Sequence, residues 1–179
     1  NVVSAGSVVN EGSISQDSTG YIMLGAGGSV RSGVAGSPDT QVGLFADDQI
    51  YVDAYSNAGA VELHNVVASY AANQSLRRLM VNWFSAQSVP AFRPDVIIDA
   101  LTPGAQPSSI ATTEGVQIYG GNVSVLSTIN HRTSAEGGVQ GDWQLVIDAS
   151  EAVDIAADVG AGASLFVDSG GPLTISGNV

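Results

Sequence analysis

The chain has no cysteine and no lysine. The first absence excludes a disulfide framework, thiolate catalysis and thiolate metal sites. The second leaves Arg31, Arg77, Arg78, Arg93 and Arg132 as the whole basic complement, against 17 Asp and Glu, for a net charge of -12. A chain with so few cations and no basic stripe is not built to neutralise nucleic-acid phosphates or an anionic membrane surface. Acidity of this kind suits solubility, a salty exterior or divalent cations. Aromatic residues are only 6% and charged residues only 12%. The apolar runs fall far short of the roughly 20 residues that span a bilayer, and no signal peptide is visible. Beginning at Asn1 without Met, the chain reads as a mature or excised piece of something longer.

What is present is aliphatic and glycine-rich: 44% hydrophobic residues and 22 glycines in 179 positions. That length supports one substantial core, and this composition makes it from Val, Ile, Leu and Ala with many tight corners. The last third carries a pattern twice. Leu145-Val146-Ile147-Asp148-Ala149 matches Leu165-Phe166-Val167-Asp168-Ser169 twenty residues on, and Val153-Asp154-Ile155 matches Leu173-Thr174-Ile175. Apolar residues alternate with small or polar ones, the period of a strand with one buried face. A fixed repeat of short strands broken by Gly, Ala, Asp and Ser is the mark of coils that stack on one another. The expected fold is therefore all-β, a parallel β-solenoid with coils of about twenty residues, forming one domain over 1–179.

The opening stretch reads the same way. Ile22, Leu24, Ala26 and Val30 recur as Val42, Leu44, Ala46 and Ile50, then Val42 and Leu44 as Val61 and Leu63. Further on, Val96 and Ile98 find counterparts in Val116 and Ile118. Stacking at this step places Leu24 beside Leu44 and Ile155 beside Ile175. Two segments interrupt the pattern. Over 69–90, Leu76, Leu79, Met80, Trp83 and Phe84 recur at spacings of three and four, with Asn73 or Ser75 as an N-cap and Pro90 beyond the end. This predicts a helical insertion centred on 72–86, lying on the side or end of the stack. Over 128–142 the spacing swells, which predicts an extended loop carrying His131, Arg132, Glu136 and Asp142. Trp83, Phe84, His131 and Arg132 are the candidate ligand or partner contacts.

No catalytic constellation emerges. Asp168-Ser169-Gly170-Gly171-Pro172-Leu173 looks like the nucleophile loop of trypsin-like serine proteases, but too little chain follows it and no matching histidine segment exists around His64 or His131. The two histidines read as surface or loop residues without a second ligand at helical or strand spacing, so a zinc site is not expected. Asp148 and Asp168, stacked on adjacent coils, would repel, and bound Ca²⁺ would relieve that; they are the only metal candidates. Otherwise no cofactor is expected. Gly25-Ala-Gly-Gly and Gly160-Ala-Gly lack the setting of a phosphate loop and read as turns.

Val9-Asn10-Glu11-Gly12-Ser13-Ile14, then Gly20-Tyr21-Ile22-Met23-Leu24-Gly25-Ala26, then Val42-Gly43-Leu44-Phe45-Ala46-Asp47-Asp48-Gln49-Ile50, resemble the coils of the filamentous-haemagglutinin family. These are large exoproteins of the two-partner secretion pathway. The closing Leu173-Thr174-Ile175-Ser176-Gly177-Asn178-Val179 is similar to the family's later repeats, and the resemblance stops over Ser69 to Asp95. It implies a right-handed parallel β-helix, export across a Gram-negative outer membrane to the exterior or cell surface, and adhesion or biofilm attachment. The Asn-Pro-Asn-Gly-Ile-like motif of the family's secretion domain is not found, so the implied piece is shaft rather than export signal. The leading expectation is a non-enzymatic adhesin segment that contacts a host cell, a neighbouring cell or polysaccharide. The alternatives are a filament subunit that stacks end to end and a β-helical polysaccharide lyase or hydrolase.

Overall fold

A strand with apolar residues at every second place buries only one face, so it needs a second layer opposite it and a partner along each edge. The computed structural model describes residues 2–16, 20–35, 42–69, 78–99, 109–112, 115–126, 129–131, 144–158 and 164–178, and in them both needs are met by rotation among three sheets. The first circuit is β1 (Val2–Ser4), β2 (Val8–Asn10) and β3 (Ile14–Ser15). The second is β4 (Ile22–Ala26), β5 (Val30–Ser32) and β6 (Val42–Phe45); the third is β7 (Gln49–Ala54), β8 (Ala60–His64) and β9 (Val66–Ser69). The fourth, β10 (Arg78–Val81), β11 (Asp95–Asp99) and β12 (Ser109–Thr112), holds the short helix α1 (Trp83–Gln87) between its first two strands. Then follow β13 (Gly115–Gly120), β14 (Val123–Val125) and β15 (Ile129–His131), next β16 (Gln144–Ala149) and β17 (Val153–Ile155), and last β18 (Ser164–Ser169) and β19 (Leu173–Ile175).

Each circuit adds a strand to each sheet in turn. The first sheet runs β1-β4-β7-β10-β13-β16-β18, the second β2-β5-β8-β11-β14-β17-β19, and the third β3-β6-β9-β12-β15. All pairings among the described strands are parallel. The chain is thus all-β in parallel sheets, as its alternation implied.

The step between stacked residues departs from the expected twenty everywhere but at the end. Leu145 lies on Leu165 and Ile155 on Ile175, as the repeat predicts. Leu24, however, pairs with Val52 in the first sheet, whereas Leu44 belongs to the third sheet and pairs with Ile14 and Ala68. Likewise Val61 follows Val30 rather than Val42, and Val96 meets Val123 rather than Val116. The physical reason is that all three sheets carry the same alternation. A twenty-residue shift then matches a strand of one sheet to a strand of another as readily as to its true neighbour.

The expected helix over 72–86 is also corrected. Leu79 and Val81 are inward residues of a strand, held between Ile50 and Val52 on one side and Val116 and Ile118 on the other. Two full backbone ladders and a buried inward row outweigh a helical spacing that rests on four or five side chains. Helix is confined to Trp83–Gln87, after Asn82 turns into the left-handed region at φ 56°. Leu76 and the proposed caps lie outside the described residues. So does most of the 128–142 loop, although 129–131 form a strand paired with β12.

The space between the sheets is filled by aliphatic side chains from all three: Leu24, Ile50, Leu79, Ile118 and Ile147 of the first, Leu63 and Ile98 of the second, Leu44 and Ile129 of the third are essentially inaccessible to solvent. Burial of each contributes about 1.5–3 kcal/mol. The corner between the first and second sheets stacks backbone on backbone. Gly27 and Gly28 donate to the carbonyls of Ser4 and Gly6 at 2.9 and 3.0 Å, and a Cβ on Gly27 would stand 2.5 Å from the Ala5 carbonyl oxygen.

Because Ile118 is sealed between Val81 and Ile147 while Ile175 is 43% exposed, truncation should discriminate between them. Ile118→Ala is expected to lower unfolding stability by about 2–5 kcal/mol, and Ile175→Ala by less than about 1 kcal/mol. Urea titration followed by circular dichroism measures both; equal losses would contradict the placement of the core.

Candidate functional site

The interior is aliphatic: among the described residues no aromatic ring belongs to the buried core. The rings stand outside, and they stand together. Of two Trp, five Tyr and four Phe, eight lie on or against the outward side of the first sheet. Tyr21 meets Tyr51 edge-on at 5.9 Å, and Tyr51 meets Phe84 at 5.0 Å. Tyr55 meets Phe92 at 6.5 Å, Trp83 meets Tyr119 at 5.5 Å, and Phe166 is 54% exposed on β18. Strand alternation puts Tyr51, Tyr119 and Phe166 on this side, since Ile50, Ile118 and Leu165 point the other way.

A buried polar joint holds α1 against this face. Asn82 ends β10, and its side chain takes over the ladder there: its Oδ1 accepts from the Ala54 N–H at 3.0 Å and its Nδ2 donates to the Tyr119 carbonyl at 2.9 Å. One turn on, the N–H and hydroxyl of Ser85 lie 3.0 and 3.1 Å from Oδ1 of Asp53. Asp53 is fully buried, its Oδ2 has no hydrogen-bond partner, and burial raises its pKa above the usual carboxylate value against the opposing pull of the Ser85 bonds.

Beyond the helix the chain crosses the same face and presents Arg93. Its backbone N–H donates to Asn57 Oδ1 at 2.7 Å, and its guanidinium grips Asp148 through contacts of 3.0 and 3.1 Å to the two carboxylate oxygens. The same guanidinium lies 5.8 Å from the Tyr119 ring centroid. The Tyr119 pKa is raised, first by burial and then by Asp148, with Arg93 opposing. Between Tyr119, Val146, Asp148, Phe166 and Asp168 runs an open groove of about 500 Å³.

The structure brings some of the sequence-derived candidates together. Trp83 and Phe84 sit on the aromatic face. Asp148 and Asp168 are neighbours in register across β16 and β18, but Arg93, which the sequence reading left unassigned, faces both oxygens of Asp148. Among the described residues no group of three or more His, Cys, Asp and Glu is placed to hold a metal ion. His131 falls in β15, and Arg132 lies outside the described residues. Ser169 belongs to a corner: its hydroxyl lies 2.9 Å from the Glu151 carbonyl and 3.1 Å from that of Gly171.

His64 is a correction. It is buried rather than on the surface, on the outward side of β8, with Nδ1 2.7 Å from Asp99 and Nε2 2.9 Å from Glu62. Glu62, two residues earlier, is a partner at strand spacing that the sequence reading overlooked, and Asp99 is the in-register neighbour on β11.

The arrangement offers stacking surfaces, a charge-paired carboxylate and one further carboxylate, groups that can hold a ligand. No family model, curated protein or solved structure matches the chain.

The Asp53 joint carries a pH signature. Because the folded state raises this carboxyl's pKa, its stabilising contribution is fully present below the ordinary carboxylate range and is lost as the pH rises through the raised value. Asp53→Asn removes that loss, so its stability relative to the parent should increase between about pH 4 and pH 7. Asp53→Ala leaves the Ser85 N–H unanswered, while its hydroxyl keeps the Ala54 carbonyl at 2.8 Å, and should cost about 1–3 kcal/mol. Denaturation midpoints across pH check both; a flat difference between Asp53→Asn and the parent would contradict the buried carboxyl.

Proposed function

We propose that the three-sheet rotation is a right-handed parallel β-helix and that the chain is a non-enzymatic segment of an exported adhesive rod, carried at the cell surface or secreted. One observation supports this best: eight aromatic side chains gathered on the outward side of a single sheet. Tyr21, Phe84 and Phe166 among them are 40% or more exposed, and exposed apolar surface is a mark of a contact site. A rigid stack keeps such rings at fixed spacing, which lowers the ordering cost of engaging an extended partner. The family resemblance of the opening and closing segments points the same way, towards attachment to a host cell, a neighbouring cell or polysaccharide.

The test is retention. Labelled chain incubated with whole bacterial and epithelial cells, and on a glycan array, should be held without altering the surface. Paired replacement of exposed rings, Tyr21→Ser with Phe84→Ser, should reduce retention at least threefold while leaving the circular dichroism spectrum unchanged. Release of reducing or unsaturated sugars would favour a lyase or hydrolase instead. Concentration-dependent fibres with no retention would favour a self-assembling filament.

A further inference from the structure

We propose that the groove between Tyr119, Asp148, Phe166 and Asp168 binds a polysaccharide of cationic amino sugars; this rests on the adhesive reading and gives it a ligand class. The groove's volume of about 500 Å³ falls within the size range of small-ligand sites. Its two rings are spaced for two sugar faces of one chain. Phe166 pairs with Val146 and Val146 with Gln117, two residues before Tyr119. Strand spacing then sets the rings about 10 Å apart along the stack and about 7 Å apart along the strands, about 12 Å in all, so a chain lying across both stacks through alternate rather than adjoining sugars.

The Tyr119 ring is held in place before any ligand arrives, by Trp83 on one side and the Arg93 guanidinium on another. Phe166 offers an open face. The polar groups divide into two kinds. Asp148 lines the groove with its charge neutralised by Arg93, so it presents acceptors to ring hydroxyls without net charge. Asp168 is exposed on the same outward row and forms no ion pair with the described residues. It leaves the groove with net negative charge in a chain of net charge -12. Uronic and sulfated glycans are repelled by that field, and a sugar ammonium is attracted by it. A protonated amine beside a stacked ring satisfies Asp168, the aromatic faces and the Asp148 acceptors together.

The probe is the β-1,4-linked glucosamine hexamer, compared with its fully N-acetylated form and with polyguluronate, by calorimetric titration in mildly acidic buffer. The expected result is binding of the glucosamine hexamer at least fivefold tighter than the N-acetylated form, no binding of polyguluronate, and weakening as salt increases. Phe166→Ala and Asp168→Asn should each weaken glucosamine binding at least fivefold. Thr174→Ala, on the outward side of the second sheet, should leave it unchanged. Equal affinity for the two hexamers, preference for the polyuronate, or indifference to both groove variants would overturn the proposal. Whole-cell retention separates the two levels. Retention on cells without glucosamine binding removes the groove proposal and leaves the adhesive reading standing, and absence of both removes each.

Discussion

The parallel ladder between successive circuits is the interaction everything else depends on. A strand three to six residues long cannot satisfy its own backbone. Laid between two neighbours at about 4.8 Å it has every N–H and carbonyl answered, and its inward side chains land on their counterparts. Ile22 on Ile50, Ile50 on Leu79, Leu79 on Val116 and Val116 on Leu145 form one continuous apolar column from that rule. Because the column is built from aliphatic residues, the interior is narrow, and rings are placed outside it.

The ladder also governs the corners. Between the first and second sheets the backbone continues to bond from circuit to circuit: Ser150 and Glu151 donate to the carbonyls of Gly120 and Gly121, and Gly171 donates to that of Glu151. Ser150 and Glu151 show that the corner admits side chains, but at Gly170 a Cβ would stand 2.2 Å from the Ser150 carbonyl oxygen, which accounts for glycine at that position. Where the chain must leave the ladder to make α1, Asn82 substitutes its carboxamide for the missing backbone pair. Gly33, at φ 89°, meets a similar demand; a Cβ there would collide with the His64 carbonyl.

This explains what the sequence disclosed. The connection from first to second sheet is short in most circuits, so the pair of strands flanking it, as in Leu145 to Ile155 and Leu165 to Ile175, recurs almost unchanged and is legible as a repeat. The other connections vary in length, and the step between stacked residues ranges from nineteen, Ile110 to Ile129, to forty-two, Ala68 to Ile110. Alternation reveals that a strand has one buried face but not which sheet owns it, so Leu44 was placed beside Leu24. Leu79 and Met80 were read as helical because their spacing fits both periods. The site was less legible still. Asp148 beside Asp168 followed from the repeat, but Arg93 reaches Asp148 from fifty-five residues away along the chain, and no local pattern carries that information.

The same separation gives the outer face its freedom. Inward positions are fixed by the column, since any residue there must fit those directly above and below it. Outward positions answer only to solvent and to lateral neighbours, so Met23, Tyr51, Met80, Gln117, Val146 and Phe166 can follow one another in a single outward row without disturbing the core. The second sheet shows the same latitude, its outward row running Val9, Arg31, Glu62, Ile97, Ser124, Asp154 and Thr174. The first and second sheets obey the same stacking rule, and what sets the first apart among the described residues is that α1 lies on it, covering Met80 and bringing Phe84 against Tyr51.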